Sequence, residues 1–214
     1  MSVASIFSRP LRDVARTGIL IGALGLIAGC GILPKQSSVS LYRPEPVIAN
    51  DATWSRVDWQ LRIARPYADA AHDSERILVR PQAGELQVYK GAAWTQPAPD
   101  IVHDTLLRAF ADSGRFAGIS RRGESVAPRY ELLLDLRRFE SDYDGGAAPA
   151  ARIELGARLV RVEDQSIVAS RVFIANVPAG DTAVASVNHA FERGLGEMSS
   201  QMIGWVLTET AAAR

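Results

Sequence analysis

The chain has 214 residues, 47% of them hydrophobic, and its 24 basic side chains balance its 24 acidic ones. A neutral chain without a polybasic run lacks the electrostatic basis of nucleic-acid binding, so nucleic acid is excluded as a partner. Cys30 is the only cysteine, which excludes a disulfide within the chain and a zinc site made of several thiolates.

The first 29 residues have the pattern of an export signal. Three arginines between residues 9 and 16 precede an apolar stretch at 18–28, and Gly29 and Cys30 follow. The stretch is too short to cross a bilayer, which needs about 20 apolar residues. A cysteine directly after small residues is typical of the lipobox of bacterial lipoproteins, whose thiol receives a lipid. We therefore predict a lipoprotein signal peptide at 1–29 and lipidation of Cys30.

The residue after Cys30 bears on the destination of the anchor. It is Gly31, whereas aspartate at this position is the usual signal for retention in the inner membrane of enteric-type bacteria. We therefore expect a lipid-anchored protein on the periplasmic face of the outer membrane. Residues 30–37 are predicted to be the lipidated N-terminus and a short linker, and 38–214 a single domain. Without the signal, which holds three arginines and one aspartate, the net charge is −2.

The first half of this domain is predicted to contain short strands and one helix. Four segments alternate between apolar and polar residues or are rich in β-formers, and we expect strands at 38–42, 57–63, 76–80 and 85–89. The last two flank the turn residues 82–84 and predict a β-hairpin, and 67–73 is predicted to be a loop. Pro97, Pro99 and Asp100 mark the start of a helix that ends at Gly114.

The second half predicts a meander and a closing helix. Alternating apolar and polar residues predict two long strands, around 131–137, where Leu133 is the one break, and around 152–159. A third run at 167–177 returns after a tight turn at 163–165, so the three are expected to form an antiparallel meander. Asp181 and Thr182 can cap a final amphipathic helix, whose apolar stripe runs from Val184 to Val206. The predicted fold class is α+β: a mostly antiparallel sheet with two helices packed on one face.

Several segments together resemble a known family. They are 73–80, 84–89 with Trp94, 106–116, 130–139, 169–173 and the closing helix with Phe191 and Trp205. In order and spacing they resemble the ABC-type transport auxiliary lipoproteins, the PqiC-like outer-membrane partners of mammalian-cell-entry (MCE) transport systems. The lipobox at Cys30 agrees with this resemblance.

The resemblance implies a function and a set of partners. These are an MCE-domain periplasmic protein with its inner-membrane permease and ATPase, in a system that moves lipids or other hydrophobic molecules between the two membranes. The lipoprotein itself would be a non-catalytic auxiliary subunit without a cofactor. No phosphate-binding G-x-x-x-x-G-K-[ST] motif occurs in the sequence, in agreement with this role. Because MCE proteins form rings, the resemblance also allows for a homo-oligomeric ring of such lipoproteins.

The sequence offers few candidates for chemistry. His72, His103 and His189 have no metal-ligand spacing, and the sequence from Asp142 to Gly145 favours a plain turn over a calcium loop. Asp73 and Glu75 are expected to cap a turn and pair with Arg76 rather than to form a catalytic pair. No catalytic or metal-binding residues are therefore predicted.

Trp94 is the ambiguous aromatic residue. The sequence favours a core position, over the end of the hairpin and under the first helix, but an anchor in a partner interface is the alternative. Two other functions also stay open. One is a lipoprotein that supports assembly of envelope machinery, for lipopolysaccharide export or outer-membrane protein insertion. The other is a periplasmic hydrolase, for which the nucleophile–base pair is missing.

Overall fold

A computed structural model describes residues 38–212 of the chain, so the predicted signal peptide and Cys30 lie outside the described residues. The described residues form nine strands and two helices. In chain order these are β1 (Ser40–Tyr42), β2 (Gln60–Ile63), β3 (Tyr67–Ala68), β4 (Arg76–Arg80), β5 (Gln87–Trp94), α1 (Ala98–Asp112), β6 (Gly118–Arg121), β7 (Tyr130–Asp142), β8 (Ala150–Arg161), β9 (Ile167–Pro178) and α2 (Val184–Ala212).

The long strand β7 organises the sheet. On one side it pairs with β8, and β8 pairs with β9, both antiparallel and over nearly their whole length. On the other side β2, β3 and β4 pair in turn with successive parts of β7, all three parallel to it. β6 extends the sheet beyond β2, and β5 followed by β1 extends it beyond β4.

The predicted α+β class is confirmed, and the sheet is mixed. The meander and the β4–β5 hairpin account for the antiparallel pairs, and Gly84, at φ +82°, lies in the hairpin turn. Tyr67–Ala68, expected in a loop, forms the short strand β3, and β6 was not predicted. Both are too short for an alternating pattern to reveal, and both depend on partners distant in the sequence.

Local signals explain both helices. In α1, Pro97 occupies the N-cap position, Asp100 lies in the first turn, and Gly114 follows the C-cap with a left-handed φ of +63°. In α2, the 29 residues begin after Asp181, whose carboxylate accepts a hydrogen bond of 2.8 Å from the Ala183 N–H. No helix within 38–212 combines the length and the apolar character that crossing a bilayer requires.

The helices cover one face of the sheet. α2 packs on β8 and β9, and α1 packs against α2, β2 and β6. Three aromatic rings lie at the centre of this core: Phe139 from β7, Phe191 from α2 and Trp94 from β5. The Phe139 and Phe191 ring centroids lie 4.4 Å apart. The other face of the sheet has no helix among the described residues and is the face on which charged side chains collect.

Candidate interaction surface

Trp94 lies in the hydrophobic core. Its side chain is 1% exposed, and its ring meets Phe139 and Phe191 edge-to-face, at centroid distances of 5.6 and 5.2 Å. Such pairs add about 0.5–1.5 kcal/mol beyond the burial of apolar area. With this little exposure, Trp94 has almost no area to offer to a partner.

The three histidines have different surroundings. His72 is buried next to Asp69 and Glu140, and His103 Nε2 donates a hydrogen bond of 3.0 Å to the carbonyl of Ile63. His189 is exposed on α2, with Nδ1 2.7 Å from a carboxylate oxygen of Glu192. Within residues 38–212, no three histidine, cysteine or acidic side chains gather where they could hold a metal ion.

The carboxylates singled out in the sequence serve turns and ion pairs. Asp142 Oδ1 accepts from the Asp144 N–H at 3.0 Å, and Asp144 has a φ of +46°, so this segment is a turn. The expected pairing of Asp73 with Arg76 is wrong. Asp73 instead pairs with Arg65 at 2.7 Å, because the loop before β4 brings it beside this guanidinium, which also binds Asp100.

A buried charged cluster on β7 was not recognised in the sequence. Glu140 has no exposed surface, and its Oε1 accepts from Arg80 Nε at 2.8 Å and from Arg138 Nε at 2.7 Å. His72 Nε2 lies 3.7 Å from Glu140 Oε2, close enough for an ion pair but not for a hydrogen bond. The cluster joins the loop before β4, β4 itself and β7, so its role is structural.

The electrostatics of this cluster follow from its geometry. Burial alone would raise the pKa of Glu140, but His72, Arg80 and Arg138 outweigh it and hold this pKa well below its usual range. The Glu140 carboxylate raises the pKa of His72 against the effect of burial, and Asp69 raises it further. The sequence signal by which this cluster could have been found is the alternation of Arg138, Glu140 and Asp142, since it places all three on one face of β7.

The outer edge of β9 has no partner strand among residues 38–212. This strand of 12 residues pairs only with β8 within the described part of the chain. On the face without helices, Val172 and Ile174 are 42% and 54% exposed, whereas Phe173 between them is buried against α2. Unpaired N–H and C=O groups beside apolar side chains are what strand-addition interfaces use. We refer to this edge with Val172 and Ile174 as the β9 edge.

Comparison with known proteins places the chain in a family. The family model described as "ABC-type transport auxiliary lipoprotein component" matches residues 40–203, which include every strand and most of α2. The chain belongs to the ABC-type transport auxiliary lipoprotein family. The family predicted from the sequence is thereby confirmed.

The chain is similar to a solved structure and to a curated protein. Protein XCC0632 from Xanthomonas campestris, for which a crystal structure is known, is 43% identical in sequence to this chain. The match covers 82% of this chain and 98% of the XCC0632 chain, with a TM-score of 0.78. An uncharacterised protein, bll6063 of Bradyrhizobium diazoefficiens, is 27% identical over 192 residues, which are 89% of this chain. The chain spans half the length of that curated relative.

A more distant crystal structure has a similar fold. It is of an uncharacterised protein with 12% identity, a TM-score of 0.61 and coverage of 79% of this chain and 99% of its own. At this identity the likeness concerns the fold alone. The auxiliary lipoprotein fold therefore extends beyond recognisable sequence similarity.

Proposed function

We propose that this protein is an outer-membrane-anchored periplasmic lipoprotein and a non-catalytic auxiliary subunit of an MCE-type ABC transport system. The system would move lipids or other hydrophobic molecules between the inner and outer membranes. Membership in the family supports the transport role. The lipobox at Cys30 and the following Gly31 support the anchor and its destination.

The β9 edge is the observation that carries the proposal. A subunit that contributes position rather than chemistry needs a surface for its partner, and this edge offers both unpaired backbone groups and exposed apolar side chains. We propose that an MCE-domain protein binds here. A homo-oligomeric ring of this lipoprotein, which would need a surface other than the β9 edge, is also part of the proposal and is tested by the mass of the purified mature protein.

A photo-crosslinking experiment tests the partner. A photoreactive residue replaces Ile174 on the β9 edge and, as the control, Gln201, which is exposed on α2. We expect the probe at 174 to capture the MCE-domain protein in intact cells, and the probe at 201 not to do so. Capture of a lipopolysaccharide-export or outer-membrane-insertion component at 174 would instead support the alternative function, and equal capture at both positions would contradict the β9 edge.

A second pair of variants tests the anchor. Cys30→Ala removes the thiol that accepts the lipid, so labelling with a radioactive fatty acid should be lost and the precursor should stay unprocessed. Gly31→Asp keeps the thiol, so it should be labelled like wild type but fractionate with the inner membrane. Undiminished labelling of Cys30→Ala would disprove the lipobox.

Anchoring of the domain to the membrane is expected to matter for function in cells. Replacing the signal by one that releases a soluble domain should impair resistance to detergent, because a tether can raise the local concentration near a partner by about 10²-fold or more. Alanine at His72, His103, His189 or Asp144 should leave resistance intact. Full rescue by the soluble form, together with loss of rescue by one of these alanines, would favour an enzyme.

A further inference from the structure

Residues 43–50, which we call the strap, lead from β1 towards β2 and are fixed to α2. The Glu45 N–H donates to Glu192 Oε1 at 3.2 Å, and Ser200 Oγ donates to the carbonyl of Ala49 at 2.7 Å. Between these bonds the Val47 carbonyl approaches Gly196 so closely that a Cβ there would lie 2.5 Å from the oxygen. The strap is therefore held in place without any ligand.

A pocket of about 200 Å³ lies between the strap and α1. Ile101 and Ala109 of α1, both buried, and Ile48 of the strap form its apolar part. Because α1 also packs on α2, both walls of the pocket are attached to the same helix. The pocket is preformed, which lowers the entropy cost of binding.

Charged side chains surround this apolar part. Arg43 from the strap and Arg108 from α1 line the pocket, and neither forms an ion pair with another residue of 38–212. Asp104 also lines the pocket, but its charge is balanced by Arg121 Nη2 at 2.9 Å.

Asp112 is the remaining charged group of the lining. It is exposed and has no ion-pair partner among residues 38–212. The pocket thus offers two unpaired cations, one unpaired carboxylate and an apolar patch. A ligand that satisfies all of them carries one anion, one hydrogen-bonding cation and an apolar portion.

We propose that this pocket binds the phosphoethanolamine headgroup of a phospholipid. The phosphate accepts hydrogen bonds from Arg43 and Arg108, as guanidinium groups favour. The ammonium group donates to Asp112, and the glycerol end of the lipid lies against Ile48 and Ile101. A volume of about 200 Å³ suits a headgroup rather than a whole lipid.

The choice of a phosphoethanolamine headgroup follows from the charged and apolar residues that line the pocket. The choice of a membrane as the source of this headgroup rests on the proposed anchor at Cys30. The strap begins 13 residues after this cysteine in the sequence, a reach of at most about 45 Å of extended chain. Headgroups of the anchoring membrane are therefore within reach of the strap. Such binding would hold the domain in a defined position on the membrane, which the lipid tether alone does not do.

Calorimetric titration of the mature lipidated protein in a nonionic detergent tests the proposal. The ligands are dihexanoyl phosphatidylethanolamine, dihexanoyl phosphatidylglycerol and free phosphoethanolamine, each corrected for titration into detergent alone. We expect the first to bind tightest and free phosphoethanolamine about tenfold more weakly, since it lacks the apolar portion. Equal affinity for the free headgroup would overturn the membrane source in favour of a soluble ligand.

Three variants separate the roles of the charges. Arg108→Gln should weaken both lipids about tenfold, because a hydrogen bond between charged groups is lost. Asp112→Asn should weaken phosphatidylethanolamine about tenfold but leave phosphatidylglycerol unchanged or tighter, which a misfolded protein would not show. Arg158→Gln, which removes an exposed arginine of β8, is the control and should bind like wild type.

Two results would overturn the proposal. One is wild-type binding by Arg108→Gln, and the other is an unaltered preference between the two lipids in Asp112→Asn. Neither depends on the transport partner, because the titration contains only this protein and the ligand. Failure of headgroup binding is therefore distinguishable from failure of the β9 edge to bind an MCE-domain protein.

Discussion

The two sides of β7 are built in different ways. β8 pairs with it from Tyr130 to Asp142, whereas β2, β3 and β4 share the opposite side and pair over only two or three residues each. Two of the short strands, β2 and β4, are held by polar side chains in addition to the ladder. Glu140 binds Arg80 of β4, and His103 binds the end of β2. Where backbone pairing is brief, side-chain hydrogen bonds determine the position of a strand.

The largest expected effect is in the core that both sides share. Phe191 is fully buried against Phe139 of β7 and Trp94 of β5, so Phe191→Ala should reduce the free energy of unfolding by about 3–5 kcal/mol. Urea denaturation of the mature protein measures this loss. Val172→Ala, on the exposed face of β9, is the control and should cost less than about 0.5 kcal/mol. A loss below about 1 kcal/mol for Phe191→Ala would contradict the described core.

The next effect concerns the short-strand side alone. Glu140→Ala leaves Arg80 and Arg138 without their shared carboxylate, and removal of one member of a buried ion pair costs about 3–5 kcal/mol. Because both arginines are one-quarter exposed, we expect about 3 kcal/mol in urea denaturation. Asp135→Ala removes an exposed pairing with Arg137 on the same strand and should cost less than about 1 kcal/mol. Equal losses of unfolding free energy in the two variants would show that the buried Glu140 ion pairs stabilise the fold no more than the exposed Asp135–Arg137 pair.

A smaller effect is expected at the strap. Alanine favours a helix over glycine by about 1 kcal/mol, but a Cβ at Gly196 would lie 2.5 Å from the backbone oxygen of Val47. Overpacking costs about 1–3 kcal/mol, so Gly196→Ala should be destabilising by about 1 kcal/mol on balance. Gly180→Ala, where a Cβ would meet nothing within 4 Å, is the control. Stabilisation by Gly196→Ala in thermal unfolding would show that the strap moves freely.

The smallest effect is a pH dependence at His72. Because Glu140 and Asp69 raise its pKa in the folded state, protonated His72 contributes stability below about pH 6.5. This contribution is lost as the pH rises through the raised folded-state pKa. The difference in unfolding free energy between wild type and His72→Gln should therefore decrease from pH 5.5 to 8.5, despite the nearby positive charges of Arg80 and Arg138.

Gln201→Ala provides the control for this titration, because residue 201 is exposed on α2 and neither side chain titrates. The difference in unfolding free energy between this variant and wild type should stay constant over the same pH range. A difference for His72→Gln that stays constant or grows with pH would mean that the neutral imidazole is the form the cluster prefers.

The polar contacts of the short-strand side could not be predicted from the sequence. The sequence shows Glu140 as one of three charged residues that alternate along β7. Its burial, however, depends on Arg80, which is 60 residues away. Arg65 likewise pairs with Asp100 across 35 residues. It also pairs with Asp73, for which the sequence favoured Arg76 as the partner. Such pairs require knowledge of which loops meet, and no local pattern contains it.

What the sequence determined by itself was local. Period-two alternation predicted β7 and β8, and an apolar stripe at helical spacing predicted α2, because both patterns arise from the geometry of one element. The tight turn at 163–165 predicted the return of β9. The proline at 97 and the glycine at 114 marked the ends of α1 for the same reason. The family was also readable, while lipidation of Cys30 stays a prediction, since that residue lies outside 38–212.

Only the tertiary structure decided which strands pair with each other and which loops line a pocket. β9 has the sequence of an ordinary strand, and no local pattern shows that its outer edge has no partner strand within residues 38–212. The strap reads as a proline-containing linker, yet Gly196 lets its backbone approach α2 and leave a pocket beside α1. Edges and pockets arise from the relative placement of segments distant in the chain. This placement depends on the packing of the whole core and not on the preference of any one segment.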